Sequence, residues 1–470
     1  GQDSLGANTT GAYNTAVGRN SLLLNTTGGY NVALGGGALD SNVSGNYNVA
    51  VGFEALQENT ANNNTGIGYK ALEENTTGTN NTALGYEALT TNTTGTQNTA
   101  VGAYAADVNT ASYITAIGVN ALGSNTTGAN NTAVGVQALY NNTTASNNTS
   151  IGYQSLNANT TGTPNTAVGC MALENNTTGT HNVAVGMEAL ESNITGGSNV
   201  AVGTYSLIEN TTGESNTALG RSALGSNTTS SNNTAVGRSA LTANTTGTEN
   251  SALGSQALAA NTTGDANIAI GFESLDANTT GDYNTAVGRS SLGANTTASS
   301  NTAVGYFALK VNTTGTLNTA VGTNSMLTNT TGSRNAAFGG EALALNTTGD
   351  YNCAFGKATL YTNTTGDNNT AYGTAALFAN TTANNNTAVG YEALKSNTTS
   401  NDNVAVGYYA LYTLTVGGGG NAGQNTAVGS NALMTYAGIH ATAVGNDALK
   451  ACTTGGDNCA LGRDALLITT

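Results

Sequence analysis

The residues with the widest catalytic and metal-binding chemistry in this chain are four cysteines and two histidines. The cysteines are Cys170, Cys353, Cys452 and Cys459, and no CxxC pair or Cys/His cluster accompanies them. Because structural zinc sites need closely spaced thiolates and imidazoles, this spacing predicts no metal site. It also predicts no disulfide framework, and a bridge between Cys452 and Cys459 is the one pairing left open beside free packing thiols.

Carboxylates are the other groups with catalytic potential, and they are sparse. The 470 residues include 26 acidic and 11 basic ones, and charged residues make up only 8% of the chain. The acidic residues form no recurrent pair and no GGxGxD calcium loop, so we expect no catalytic residue, no enzyme activity and no cofactor. The net charge of −15 argues against nucleic acid as a partner, and no apolar run is long enough to predict membrane insertion.

Asparagine carries the most frequent chemical signature in the chain. The segment Asn-Thr-Thr-Gly recurs throughout and contains the N-glycosylation acceptor Asn-x-Thr. We favour a second reading, in which stacked Asn side chains form an amide ladder, and we keep glycosylation as the alternative. The predicted ladder residues are Asn25, Asn42, Asn75, Asn92, Asn125 and Asn142. The candidate glycosylation sites are Asn25, Asn75, Asn92 and Asn125.

These asparagines belong to a repeat that covers the whole chain. The repeat reads NTAVGYEALTTNTTGTQ at residues 81–97, and 27 copies of its first element start between Asn14 and Asn458. Of the 26 intervals between starts, 22 span seventeen residues, three span sixteen and one, after Asn403, spans 22. A fixed short period predicts an all-β parallel β-solenoid, a β-roll of about 27 coils that contact only their neighbours. The positions of the repeat are numbered one to seventeen from its leading Asn.

The first four positions of the repeat predict a short strand. Position two is mostly Thr or Val and position four is always apolar, and residues two apart on a strand face the same side. We expect both columns to face a core, together with the Leu of position nine. Position three is Ala in all but two copies, which predicts a small-residue face that a second chain approaches closely. The predicted interface residues are Ala16, Ala33, Ala50, Ala83 and Ala100.

The pattern changes toward the end of the chain and suggests two regions. Residues 1–407 hold regular solenoid repeats, whereas residues 408–470 hold irregular coils with four consecutive glycines at 417–420. Position twelve is no longer Asn in the last four coils. We expect the glycine run to loop outward and the second region to be a cap, a junction or a contact region.

The spacing of NTAVG and the following Ala-Leu resembles the NSVAIG-type repeats in the YadA-like heads of trimeric autotransporter adhesins. Similar repeats occur in bacterial and phage fibre proteins, and the resemblance covers nearly the whole chain. It implies a left-handed parallel β-roll packed as a homotrimer, with Thr15 and Val17 facing inward and Ala16 at the subunit interface. The family repeat is commonly shorter, so the resemblance implies that the NTTG turn is an enlarged outer corner.

These features together predict an extracellular or cell-surface structural fibre or adhesin segment. Its expected partners are further copies of itself, as a homo-oligomer or filament, and host or cell-surface glycans. The alternatives are a glycan- or ice-binding module and a phage tail-fibre shaft. The sequence disfavours ice binding, because the paired Thr of NTTG lie beside a turn Gly instead of on a flat strand. Glycan binding would use corner tyrosines such as Tyr69, Tyr86, Tyr153 and Tyr391.

Overall fold

The computed structural model describes residues 1–414, 423–453 and 455–467. The chain folds as an all-β parallel β-solenoid of about 26 turns, which confirms the predicted class and period. It comprises two compact units, residues 1–233 and 234–470, which are described separately. The predicted outward loop of residues 417–420 lies outside the described residues.

The first unit contains thirteen short strands, one per coil. They are β1 (Thr15–Val17), β2 (Val32–Leu34), β3 (Val49–Val51), β4 (Thr65–Ile67), β5 (Thr82–Leu84), β6 (Thr99–Val101), β7 (Thr115–Ile117), β8 (Thr132–Val134), β9 (Thr149–Ile151), β10 (Asn165–Val168), β11 (Asn182–Val185), β12 (Val200–Val202) and β13 (Thr217–Leu219).

The second unit contains the remaining fourteen strands. They are β14 (Thr234–Val236), β15 (Ser251–Leu253), β16 (Ile268–Ile270), β17 (Thr285–Val287), β18 (Thr302–Val304), β19 (Thr319–Val321), β20 (Ala336–Phe338), β21 (Cys353–Phe355), β22 (Thr370–Tyr372), β23 (Thr387–Val389), β24 (Val404–Val406), β25 (Thr426–Val428), β26 (Thr442–Val444) and β27 (Cys459–Leu461).

Within each unit, every strand pairs in parallel with the strand of the next coil. The register places equivalent repeat positions side by side, as in β5 and β6, where Ala83 lies opposite Ala100. The turns between the strands are also bonded from coil to coil, since Leu22 N–H donates to Ala38 O at 3.0 Å. Strands of three residues are therefore sufficient, because the backbone ladder continues outside them.

The interior of each coil is narrow. The Leu of position nine and the Ala or Ser of position eight are fully buried throughout most of the chain, as at Leu89 and Ala88. The residue at position three faces the same interior, where a Cβ added to Gly66 would lie 2.8 Å from Ala71 O and 3.1 Å from Leu56 Cγ. On the strand side, the interior of each coil therefore has room only for a side chain close to a methyl group in size.

This narrow interior reverses the predicted orientation of the strand. Ala33, Ala50, Ala83 and Ala100 are fully buried within one chain, and Ala16 in the first coil is half-buried, so the prediction that they form a subunit interface is wrong. The expectation that Thr15 and Val17 face inward is also wrong, since both are exposed. Only a side chain as small as Ala or Ser fits the interior at position three, so the larger side chains of positions two and four point outward.

The second departure from Ala at position three supports this orientation. The hydroxyl of Ser150 is buried and donates to the backbone oxygen of Ser155 at 2.7 Å. It also lies 2.5 Å from the hydroxyl of Ser155, which occupies position eight of the same coil. A buried hydroxyl needs such partners, and here the two serines on facing sides of the core supply them to each other.

Each coil bends through residues with left-handed backbone conformation. Positions seven, nine and seventeen have positive φ, as shown in one coil by Asn20 at 60°, Leu22 at 52° and Tyr30 at 60°. A branched residue such as Leu costs about 1–2 kcal/mol in this conformation. The buried Leu column persists at this strained position because its side chain supplies most of the apolar interior of the coil.

Candidate functional site

The Asn residues of position twelve form the predicted ladder inside each unit. Asn25, Asn42, Asn75, Asn92, Asn125 and Asn142 are all fully buried. The Nδ2 of Asn42 donates to Oδ1 of Asn25 at 2.9 Å, and Asn142 donates to Asn125 at 2.7 Å. The same Nδ2 of Asn42 also donates to the backbone oxygen of Gly45, which closes the NTTG turn at 3.1 Å. One side-chain amide in each coil therefore makes two hydrogen bonds, one to the neighbouring coil and one to the turn of its own coil.

The leading Asn of position one forms a second buried ladder with different bonding. The backbone N–H of Asn48 donates to Oδ1 of Asn31 at 2.9 Å, and Asn31 Nδ2 donates to Gly45 O at 2.8 Å. The carbonyl of Gly45 thus accepts from both ladders. The two Asn columns flank the five-residue turn and hold it between them, which explains why Asn, with a donor and an acceptor on one short side chain, occupies both positions.

The two sixteen-residue repeats of the first unit interrupt the position-twelve ladder. Asn59 and Asn109 donate to the carbonyl oxygens of Ala61 and Ala111 inside their own shortened turns. They make no bond to the preceding ladder Asn, and Oδ1 of Asn42 is buried without a hydrogen-bond partner in the described structure. One missing turn residue therefore removes one rung, and the next rung restores the ladder.

Burial of the ladder amides contradicts glycosylation of the folded chain. The Nδ2 atoms of Asn25, Asn75, Asn92 and Asn125 would carry the glycans, but each residue is fully buried and each Nδ2 donates two internal hydrogen bonds. A glycan on any of them would remove donors from the ladder and open the turn. The Asn-x-Thr pattern has a structural cause, which the amide ladder supplies.

The described part of the last coils replaces the amides with other buried groups. Leu414, Tyr436 and Cys452 occupy position twelve and are buried. The hydroxyl of Tyr436 donates to Gly455 O at 2.6 Å and lies 3.1 Å from Ile439 O. Tyr436 therefore bonds both its own turn and the next coil, as the ladder Asn does elsewhere.

One exposed feature that recurs in every coil is the outward side of the strands. We call it the strand face and define it as the side chains at positions two and four, which are the first and last residues of each three-residue strand. The side chains of this face are exposed or half-buried, and exposed examples are Leu84 at 45% and Leu219 at 47% in the first unit, and Leu253 at 50% in the second. The exposed aliphatic side chains of this face recur coil after coil, and exposed apolar patches typically mark interaction sites.

The composition of the strand face is uniform along both units. Position two is Thr, Val, Ile, Ala, Ser or Cys, position four is Val, Leu, Ile, Phe or Tyr, and neither position carries a charge in any of the 27 coils. Exposed surfaces of soluble proteins usually carry charged residues, which break up apolar patches and provide a form of protection against association. That protection is lacking on this face, which distinguishes it from the variable, charge-bearing corners.

The corner tyrosines named from the sequence fall into columns of stacked rings. Tyr69 and Tyr86 stack with ring centroids 5.0 Å apart, and Tyr391 stacks on Tyr408 at 5.6 Å. A hydrogen bond with Glu87 raises the pKa of Tyr86 to about 12. Tyr153 is half exposed at the same corner position. Sugar rings bind to open aromatic faces, and stacking within a column covers the faces between successive rings.

The cysteines are free thiols and do not converge. Cys452 is buried and Cys459 is exposed, so the bridge that the sequence left open does not form. Among residues 1–414, 423–453 and 455–467, no group of three or more His, Cys, Asp or Glu side chains is placed to hold a metal ion. The same residues contain no helix with the length and apolarity that crossing a membrane requires.

Neither a protein-family model nor a curated protein sequence matches the chain. The geometry and chemistry of its own residues therefore carry the functional proposal.

Proposed function

We propose that the chain is a structural segment of an extracellular or cell-surface fibre, and that its copies associate through their strand faces. The observation that carries this proposal is the uncharged, outward-facing column of exposed and half-buried side chains at positions two and four of every coil. A homotrimer is the form that the resemblance to trimeric adhesin heads implies. In that form the strand faces, and not the buried Ala column, meet between chains.

A second copy of the chain is the partner that fits the strand face, because its side chains repeat with the same spacing along the axis. Equivalent side chains recur at the coil spacing of about 4.8 Å, so two such faces can interdigitate at every coil. A strand of three residues is about 10 Å long, at about 3.3 Å per residue, and each coil adds about 4.8 Å along the axis. The strand face therefore has an area of about 50 Å² per coil, or roughly 650 Å² for the thirteen strands of the first unit. The fourteen described strands of the second unit offer a similar area of their own, and each area approaches the roughly 800 Å² per partner of a standard interface.

The test introduces charge into the strand face. We expect wild-type protein at micromolar concentration to sediment near three times its 46.6 kDa chain mass. The double variant Ile117→Lys with Ile151→Lys should shift the protein to monomer, because desolvating two lysines in an apolar interface is unfavourable. Sedimentation velocity measures the mass, and far-UV circular dichroism shows whether the solenoid remains folded.

The matched control places the same charges at the neighbouring corner. Val119 and Val136 are each 43% exposed, close to the 39% and 40% of Ile117 and Ile151, and they occupy position six, where Lys357 shows that lysine is compatible with the coil. Val119→Lys with Val136→Lys should leave the mass unchanged. A monomeric wild type, or equal masses for the two double variants, would refute association through the strand face.

A second candidate function, binding to ordered water at an ice surface, is favoured by one observation. Seven successive coils place Thr at position two on the flat strand face, from Thr65 of β4 to Thr166 of β10. The NTTG threonines, which lie beside the turn Gly, do bond internally, as Thr76 Oγ1 does to Thr93 O at 2.9 Å. A monomeric wild type with thermal hysteresis would establish this candidate, and zero hysteresis would eliminate it.

A further inference from the structure

A groove of about 350 Å³ lies at one corner of the second unit, outside the strand face. It exists because three successive coils differ in size at the same repeat positions. The middle coil contributes Ser290 and Gly293, and the larger side chains of Glu273 and Phe307 rise on either side. The volume is within the range of small-molecule sites.

The carboxylate of Asp276 reaches into the space that Gly293 leaves. A Cβ added to Gly293 would lie 3.4 Å from Asp276 Oδ1, so the carboxylate occupies the side of the groove where a larger residue would stand. Partial burial raises the pKa of Asp276, and the charge of Glu273 raises it further. This wall of the groove thus holds two carboxylates close together.

The opposite side of the groove carries positive charge. Lys310 Nζ lies on this side, 3.9 Å from the centroid of the Phe307 ring. Arg289 belongs to the middle coil, and its guanidinium lies 5.7 Å from the centroid of the Phe272 ring, on the side of Glu273. Across the ranges that the structure describes, neither cation forms an ion pair with Glu273 or Asp276. The two signs of charge therefore face one groove without neutralising each other.

We propose that this groove binds a small zwitterion, with its ammonium group at Asp276 and Glu273 and its carboxylate at Lys310. A simple cation would satisfy only one wall, and a simple anion would meet the carboxylates. Asp276 and Lys310 hold the same repeat position two coils apart, so their Cα atoms are about 9.6 Å apart along the solenoid axis. Charge-assisted hydrogen bonds of about 2.8 Å at each end leave room for a short ω-amino acid such as γ-aminobutyrate.

This site is independent of the self-association proposed above, because its residues lie at the corner positions six, seven, ten and eleven. The neighbouring Val311 and Ala294 line the groove and provide methyl groups whose NMR signals report occupancy at this site alone.

The experiment compares γ-aminobutyrate with butyrate and butylamine, which each retain one of its two charges. We expect saturable shifts of the Ala294 and Val311 methyl signals with γ-aminobutyrate, at a dissociation constant on the order of 1 mM. Butyrate and butylamine should bind at least about tenfold more weakly, because each leaves one charged wall unpaired. Equal affinity for butylamine, equal affinity for butyrate, or no saturable shift would each overturn the proposal.

Two pairs of variants separate a binding effect from a folding effect. Asp276→Asn should weaken the binding of γ-aminobutyrate and raise the affinity for butyrate relative to it. Lys310→Gln should also weaken the binding of γ-aminobutyrate, but it should raise the relative affinity for butylamine. Gly293→Leu should abolish the binding of all three compounds by filling the groove, and Leu327 shows that leucine is compatible with this repeat position. Thr242→Leu makes the same kind of change at the same position in another coil and should leave binding intact. Undiminished binding to Gly293→Leu would overturn the assignment to this groove.

Discussion

Replacing Asn176 by Asp is expected to destabilise the first unit by on the order of 4 kcal/mol near neutral pH. Asn176 is fully buried, and its Nδ2 donates to Asn159 Oδ1 at 2.9 Å and to Gly179 O at 3.1 Å. Aspartate has the same shape but offers oxygen in place of that nitrogen, so two acceptors lose their donor and a carboxylate is buried beside them. The bond that Asn193 donates to Asn176 Oδ1 at 2.8 Å would remain.

The loss from this substitution should depend on pH in a defined direction. Burial without a cation disfavours the charged form, so the pKa of the new carboxyl in the folded state rises above its unfolded value of about 3.9. The folded state then binds more protons than the unfolded state at intermediate pH, and stability falls as pH rises through that window. Below the unfolded pKa both states are protonated, and the neutral carboxyl can donate one bond, so the variant should approach wild type there.

The neighbouring residue supplies the control for this prediction. Asn175 is exposed and precedes the ladder residue directly, so Asn175→Asp adds the same charge at the same coil without touching the ladder. We expect this control to stay within about 0.5 kcal/mol of wild type. Denaturant unfolding gives the free energies, and hydrogen exchange of the backbone around residues 173–193 locates the opening. Equal stabilities for the two variants at neutral pH would contradict the structural role of the ladder.

The period and the ladder could be predicted from the sequence because both repeat in register. A position that is Asn in coil after coil has few physical explanations, and stacking of its amide is the one that needs no partner outside the chain. The internal bonding of Asn25 and Asn142 follows from that logic. The repeat does not reveal what a shortened copy does to the ladder. The deletion in the turn separates Asn59 from Asn42, and this displacement depends on the backbone path of the shortened turn.

The inside and outside of the strand could not be predicted by hydrophobicity alone. The two-residue alternation placed positions two and four together on one side, but it does not say which side is the interior. Because apolar side chains are usually buried, the sequence predicts that the bulkier columns face inward. In a coil of seventeen residues the Leu of position nine, as at Leu89, already fills the width, so only Ala83 fits opposite. The strict limit to Ala, Gly or Ser at position three was the available signal of this steric restriction.

The reversal also changes where the functional surface lies. An Ala column facing a second chain would have given a close, featureless contact, whereas the observed face presents β-branched and larger side chains such as Ile117 and Tyr372. The corner groove at Gly293 is likewise invisible in the sequence, because it arises from the stacking of three coils whose residues are seventeen positions apart. The shape of the surface at a variable repeat position depends on the residues at the same position in the neighbouring coils.

The second large effect is expected at the glycine of position five. Gly135→Ala should destabilise the first unit by more than about 3 kcal/mol, because two separate conditions exclude a side chain there. Gly135 has φ of 139°, a conformation that essentially only glycine adopts. A Cβ on this residue would also overlap the carbonyl oxygen of Gly152 in the next coil, and backbone cannot move aside without breaking the coil-to-coil ladder.

Gly128 tests whether φ or close packing dominates this effect. Gly128 occupies position fifteen, is buried, and a Cβ there would overlap Ala145 O in the next coil, but its φ is not positive. Ala145 itself holds position fifteen in that next coil and is only 3% exposed, so the turn can shift enough to accept a methyl group. Gly128→Ala should therefore cost no more than about 1 kcal/mol. Thermal and denaturant unfolding of the two variants should differ by more than about 2 kcal/mol, and similar losses would show that coil spacing, not backbone conformation, keeps glycine at position five.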